Sequence, residues 1–447
     1  MRDILLALII VPLLPYIFKR PMVGALLWAW LSIMNPHQET WGFARSIPWG
    51  QLVALATLTA LLYHKDRRPL PMSGGVVLLL VFMAWMTVTS IFAINPVMSD
   101  VWDRWTFMLK VFVMLLATLM LIRGRREIEW LILIVVLSLA YFGVKGGVFT
   151  VLTGGQYRVW GPEGTMIHGN NELAVALVIA TPFMYYLRAT SANRWFRLLM
   201  LACMVFCAFA ILGTQSRGAL LSITAMALVL GLKSRYPVRS SLALLAIGAV
   251  AFAFMPQSWH DRMDTIANYE EDMSAMQRIW TWNTLWNAAV SNPITGVGFR
   301  ADNALVFDRY GQILGFEHFH GRYTPVAHSA YFQALGEHGF PGLFLFLSLG
   351  LWVWFAAGAT ARRARTDPRY ADWVPLLMRM CQVSIVGYAV GAGFLSLMLF
   401  DVPYYILGFV VLVQATMNEQ GQAQVAGAPV RDPQPEGHHV PPRRPPA

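Results

Sequence analysis

Apolar residues come in blocks along the chain, separated by polar joints, at 3–18, 20–35, 48–63, 74–93, 104–123, 128–143, 171–189, 194–213, 217–232, 239–255, 327–358, 374–400 and 402–416. A helix crosses a bilayer with about 20 apolar residues, and most of these blocks approach that length. They are too long and unbroken for the alternating strands of a membrane β-barrel, whereas a helix satisfies its own backbone hydrogen bonds in lipid. The pattern predicts an all-α, polytopic membrane protein with about 12 transmembrane helices. The corner Phe18-Lys19-Arg20-Pro21 either joins two spans or closes one re-entrant hairpin. No small-residue cleavage site follows the first block, which reads as a retained anchor.

Basic residues mark alternate joints: Lys65, Arg67 and Arg68; Arg123, Arg125 and Arg126; Arg188, Arg194 and Arg197; Lys233, Arg235 and Arg239; Arg362, Arg363, Arg365 and Arg369. The positive-inside rule makes these joints cytoplasmic, so those at 94–103, 144–170, 214–216 and 256–327 face the other side, the periplasm in a cell with two membranes. Counting back puts the N-terminus on that outer side if both early blocks span. The chain thus reads as a multi-pass protein of the bacterial inner (cytoplasmic) membrane, surrounded by membrane lipids, with a membrane domain over 1–417 that includes the periplasmic loop 256–327. Residues 418–447, rich in Pro, Gln, Gly and Arg, lack an apolar period and are expected to be a disordered cytoplasmic tail.

Composition agrees, with 57% hydrophobic and 13% charged residues. The net charge of +10 raises nucleic acid as a partner, but the surplus sits in the cytoplasmic joints and the tail, so no nucleic acid is expected. Cys203 and Cys207, four apart on one helix face, cannot pair with each other and read as core residues, as does Cys381.

Loops as long as 256–327 are usually functional or disordered. This one carries the acidic run Glu270-Glu271-Asp272 and then Ser274-Ala275-Met276-Gln277, a capping-box pattern that predicts a helix to Asn292, stopped by Pro293. Met276, Ile279, Trp282, Asn283, Trp286 and Val290 share one helical face, with Trp280 beside them. That face has two readings, the membrane–water interface or the protein's own outer surface, and both hold Arg278 near headgroup depth.

Candidate chemistry lies in three places that the topology brings to one side. In Gly213-Thr214-Gln215-Ser216-Arg217-Gly218, Ser216 can cap the following helix and Arg217 opens it. A helix N-terminus with an arginine makes an anion site, and a lone arginine there would equally mark the membrane edge. Arg278 and Arg300 lie on the same side. The stretch from Arg158 to Glu172 includes Asn170 and Asn171 at a helix start, where polar side chains usually cap and are expected to do so here, with sugar binding as the alternative. The third place is Ala327-His328-Ser329-Ala330-Tyr331-Phe332. Its histidine can accept a proton from a sugar hydroxyl, although a lone histidine is more often structural. Glu337 and His338, about two and a half turns along that helix, are expected to stand apart from it.

His328-Ser329, nine residues, Gly339, two residues and Gly342 together resemble the signature of the bacterial O-antigen ligase family, in the larger group that holds O-antigen polymerases and protein O-oligosaccharyltransferases. Arg217 in Gln-Ser-Arg-Gly, Arg278 in Gln-Arg-Ile-Trp and the turn Pro293-Ile294-Thr295-Gly296-Val297-Gly298 follow in the group's order. Trp28 through Met34-Asn35-Pro36-His37, with Thr40-Trp41-Gly42-Phe43-Ala44, is similar to the exosortase-A-associated glycosylation ligase branch. The resemblance covers 1–417 and implies a GT-C-like, metal-independent glycosyltransferase without cofactors. Such an enzyme moves a glycan from undecaprenyl pyrophosphate to a lipid A–core sugar with inversion. Arg217 and Arg278 would stabilise the leaving pyrophosphate and His328 would be the general base. Arg300, Arg158, Asn170, Asn171 and Tyr331 would line the substrates.

Within the group, protein O-glycosylation or O-antigen polymerisation would use the same donor. Outside it, His318, His320 and His328 could form a zinc set, and an anionic-lipid transporter could use the same arginines.

Overall fold

A computed structural model describes residues 1–64, 67–233, 273–321 and 324–425, with the single positions 239, 242 and 257. The blocks become α1 (Arg2–Lys19), α2 (Pro21–Met34), α3 (Trp49–Tyr63), α4 (Gly74–Ile91), α5 (Met98–Leu121), α6 (Gly124–Leu152), α7 (Asn170–Thr190), α8 (Arg194–Gly213) and α9 (Arg217–Leu232). The long loop supplies α10 (Met273–Ser291) and α11 (Ala304–Tyr310), and α12 (Ala330–Ala364), α13 (Val374–Ala392) and α14 (Asp401–Val425) complete the bundle. Side chains set several starts: Ser73 Oγ accepts from Val76 N, Asn193 from Trp195 and Phe196 N, and Ser216 Oγ from Ala219 N. Among the described residues, seven helices (α4 to α8, α12 and α13) are long and apolar enough to cross a membrane, and α2, α3 and α9 are shorter apolar helices. All but two positions of the predicted span 239–255, with Lys65, Arg235, the acidic run 270–272 and residues 426–447, lie outside the described residues.

The protein is a polytopic helical membrane protein. α7 and α13 run through its middle, packed on each other, with α6 and α8 against α7 and α9, α12 and α14 against α13. Large apolar side chains also line the outside. On α12, Phe344, Leu351 and Phe355 stay exposed, as lipid contact permits and water does not.

The bundle has two chemically distinct ends. At one, Arg68 donates to Ile122 O and approaches Glu419 at 3.5 Å, Arg125 pairs with Asp372 at 2.8 Å, and Arg363 donates to Asn418 Oδ1 at 2.8 Å. These side chains belong to joints that the sequence marked as basic. At the other end, Ile94 N donates to Val297 O, Val159 N to Gly213 O and His328 N to Ser396 Oγ. The alternation read from charge is therefore a physical segregation of joints.

The first two helices also resolve by contact. Only Arg20 separates α1 from α2, which pack together as a hairpin. Asp3 accepts from the Gly42 and Ala44 N–H groups, and Lys145 pairs with Glu39, so the N-terminus lies at the motif-bearing end.

Four expectations need correction. α14 continues through Val425, so ordered helix passes beyond 417. α10 begins at Met273, leaving Ser274 inside its first turn. Its buried face is Trp280, Thr281, Thr284, Leu285, Ala288 and Ala289, while Trp286 and Val290 are exposed. Small Thr and Ala side chains let the helix lie close to its neighbours, and exposed Trp286 and Val290 go against the reading in which the larger apolar face packs on the protein, not against the membrane-interface reading. Trp280 stacks on Phe319 with ring centroids 5.3 Å apart and donates to Gly311 O, which anchors that face within the protein. The block 327–358 is also not one continuous helix, because Gly339 inside α12 has φ 68° and ψ −172°.

Candidate functional site

The turn before α9 is held from four directions. Gln215 sits at φ 54°, a left-handed conformation unusual for a residue with a side chain. Its Oε1 accepts from Arg158 Nε at 3.3 Å and its Nε2 donates to Gly155 O at 3.2 Å. Asn170 Nδ2 donates to Thr214 O at 2.8 Å, and Val159 N to Gly213 O at 2.9 Å. Ser216 caps α9, so Arg217 occupies the helix's first turn beside unpaired backbone N–H groups, where positive potential gathers. Sequence places one and two thus form one assembly. Asn170 does not cap α7 as expected. The cap is Gly169, without a side-chain bond, and Asn170 instead ties α7 to the arginine-bearing turn.

His328 stands just before α12, whose cap is Ser329. Its φ is 47°, and its N–H donates to Ser396 Oγ at 2.8 Å while the preceding Ala327 carbonyl accepts from Trp282 Nε1 at 2.8 Å. Trp282 lies flat on Phe332, with ring centroids 5.3 Å apart. Burial, and after it the nearby charge of Arg278, push the imidazole down to about 4, so at neutral pH it is uncharged with a free lone pair. The same Arg278 charge reaches Glu172 in the first turn of α7, which links α10, α12 and α7 electrostatically. A Cβ built on Gly218 would lie 3.5 Å from Phe394, two residues before Ser396, so the start of α9 adjoins the segment that holds His328.

Arg300 belongs to a second, adjoining arrangement. The turn Pro293 to Arg300 lies against the break in α12 like an added strand: Val297 N donates to Gly336 O, Gly298 N to Glu337 O and Phe340 N to Pro293 O. Arg300, at φ 63°, donates its N–H to Glu337 Oε1 at 3.1 Å, and its side chain approaches Asp302 at 3.5 Å. A cavity of about 70 Å³ between them is lined by Arg104, Arg300, Asp302, Gln333 and Glu337, with Ala327 and Ser396 in its wall. Glu337 is therefore not remote from His328's surroundings, as its helical spacing implied. His338 is fully buried, bonded through Nδ1 to Thr89 Oγ1 at 2.7 Å, and serves the packing.

Gln215, Arg300 and His328 share the uncommon left-handed backbone, and each is fixed by bonds from other elements. Such strain persists only where the surroundings over-determine it, and it clusters at functional sites.

Tyr331 lies in the first turn of α12, three residues after His328. Its hydroxyl donates to Ala389 O, and its ring stands at one end of an apolar cavity of about 370 Å³ between α12, α13 and α14, with Phe346, Trp354, Tyr388 and Leu407 in the lining. Asn171 is partly exposed at the second position of α7. His318 packs on Phe319 and His320 on Trp280; among the described residues no three metal-binding side chains gather, so the zinc set with His328 does not assemble.

The sequence reading passed over Gln215, Glu172, Ser396, Arg104 and Asp302. Gln215 carried a signal, since a polar residue between a helix-ending Gly-Thr and a capping Ser occupies a turn. Ser396 carried none, because it lay inside a block read as helix.

A bundle with arginines and a neutral imidazole meeting at one end defines a multi-pass membrane protein with a basic site at its surface. Residues 202–347, which hold Arg217, Arg278, Arg300 and His328, match the family model described as O-antigen ligase. Residues 1–192 match a family of unknown function (DUF5935). No curated protein matches the chain. The O-antigen ligase match supports glycan transfer of the ligase or polymerase type, with a glycan-linked lipid as donor in a membrane setting.

Proposed function

We propose that the protein is an O-antigen ligase of the bacterial inner membrane, which moves a glycan from undecaprenyl pyrophosphate to a sugar of lipid A–core in lipopolysaccharide assembly, at a site facing the periplasm. The observation that carries this reading is the Arg278 charge beside a half-buried, neutral His328. The acceptor hydroxyl gives its proton to that imidazole and attacks the anomeric carbon as the bond to pyrophosphate breaks, inverting the configuration. Pyrophosphate gathers negative charge as it leaves. Arg217, at the α9 N-terminus, and Arg278 stabilise it by charge-assisted hydrogen bonds, and no metal takes part. Arg158 and Asn170 act by fixing the Arg217 turn. Arg300 is a secondary phosphate contact, and Asn171 faces the sugar. Tyr331 lies at the mouth of the apolar cavity, which takes part of the polyprenyl tail.

The donor's anion also tunes the base. Pairing with Arg278 cancels part of the charge that depresses His328, so basicity rises once the donor is in place and the acceptor is activated only then.

Purified protein with undecaprenyl-pyrophosphate-linked glycan and lipid A–core tests this in the presence of EDTA. Transfer survives the chelator, and His328→Ala and Arg217→Ala each lower it by about 10²–10³-fold. Abolition by EDTA would overturn the metal-free mechanism. Transfer only to a protein, or to a second lipid-linked glycan, would move the acceptor assignment to protein O-glycosylation or polymerisation.

A further inference from the structure

At the motif-bearing end, beside the Arg217 turn, an open cleft of about 390 Å³ is lined by Glu39, Lys145, Phe149, Arg158, Trp160 and Glu163. Its volume falls within the range of about 300–1,000 Å³ typical of small-molecule sites. Every lining residue lies within 1–192, the segment whose family has no known function.

We infer that this cleft binds a neutral pyranose of the acceptor glycan, so that the N-terminal segment recognises the acceptor while the O-antigen ligase segment handles the donor. The inference rests on the glycan-transfer reading above.

Three observations support it. Trp160 is 57% exposed in the cleft, a large aromatic face left to solvent where the C–H face of a sugar ring can stack. The lining charges balance, Glu39 and Glu163 against Lys145 and Arg158, and Lys145 already pairs with Glu39 at 3.5 Å. A balanced set offers both acceptors and donors to sugar hydroxyls, whereas an anionic sugar would meet two carboxylates with the cations already engaged. The wall is also formed in advance. Gly161 N donates to His168 O at 2.9 Å and Thr165 Oγ1 to Pro162 O at 2.8 Å, closing the loop that carries Trp160 and Glu163.

The cleft joins the transfer site directly. Arg158 lines it and donates to Gln215, two residues before Arg217, and Val159 in its wall donates to Gly213 O. A sugar stacked on Trp160 thus presents its next residue toward the donor's phosphates.

The test uses full-length protein in detergent, Trp160→Ala, Trp160→Phe and Glu163→Gln, with donor and acceptor KM measured separately. Calorimetric titration with the delipidated neutral core oligosaccharide gives binding without turnover. Trp160→Ala raises acceptor KM and oligosaccharide Kd about tenfold and leaves donor KM unchanged, Trp160→Phe recovers most of the loss, and Glu163→Gln weakens binding several-fold. An unchanged acceptor KM and Kd in Trp160→Ala, a shift in donor KM instead, or no oligosaccharide binding by the wild type would each overturn the inference. If the wild type binds the oligosaccharide on Trp160 yet transfers nothing to lipid A–core, the ligase assignment fails while the cleft stands.

Discussion

Acidifying the protein separates a half-buried, arginine-adjacent His328 from an ordinary surface histidine. A free imidazole titrates at 6.5, and burial together with Arg278 brings His328 down to about 4. At about 1.4 kcal/mol per pH unit this difference is about 3 kcal/mol in favour of the neutral form in the fold. Because the folded value lies below the unfolded one, the fold loses stability as pH falls from 6.5 towards 4 and gains nothing from this group above 6.5. For catalysis the consequence is larger. At pH 5 about nine-tenths of His328 is still a competent base, whereas a histidine titrating at 6.5 would retain about 3%. The kcat/KM for donor, which reports the free enzyme, should therefore stay near its plateau down to about pH 5. Imidazole NMR provides a direct measure, with the His328 resonance assigned by its loss in His328→Gln. The midpoint should lie near 4 in the wild type and rise part of the way to 6.5 in Arg278→Gln, only part because burial is the larger cause. Inorganic pyrophosphate should raise it in the same direction. A wild-type midpoint near 6.5, or one indifferent to Arg278→Gln, would refute the arrangement.

Gly339→Ala should lower stability by more than about 3 kcal/mol, since φ is 68° and an added Cβ would stand 2.3 Å from Ile294 O; a melting temperature in detergent within error of wild type would contradict the packing of the 293–300 turn. Asn170→Ala removes the 2.8 Å bond to Thr214 O and should cost about 1–3 kcal/mol while depressing glycan transfer. Asn171→Ala should leave the melting temperature much nearer wild type, and equal losses in the two variants would count against Asn170 as the tie.

The helices were readable from the blocks because length and apolar density nearly dictate them in lipid. The blocks 194–213 and 217–232 coincide with α8 and α9. Charge at the joints was equally legible, and Arg68, Arg125 and Arg363 do meet at one end. What stayed hidden were places where the backbone leaves the helix inside an apolar run. α13 stops at Ala392, capped by Gly393, and the chain then turns through Ser396, whose hydroxyl accepts from His328 N–H; Gly391 and Gly393 marked the end locally, but the long-range bond had no mark in the sequence. The break at Gly339 did have a local mark, a glycine two residues before Pro341, a common place for a helix to restart. Of the site, the arginines and His328 could be named from spacing and family resemblance. Gln215, Glu172 and Glu337 matter through contacts made across the fold, which spacing along one element does not reveal. On α10 spacing left the Trp-bearing face to either the membrane interface or the protein, and close packing through Thr281, Thr284, Ala288 and Ala289 sets a different face against the protein.

The four-way closure of the Gln215 turn bears on inheritance. Two of its ties come from Arg158 and Asn170, and the others from Gly155 and Val159, all upstream of residue 202. A gene fusion that kept 202–447 and replaced the upstream half would carry Arg217 without the polar partners that aim it. Chimeras of related chains should therefore keep activity only when the 155–170 loop and the 213–218 turn travel together, although the two matched segments part near residue 200.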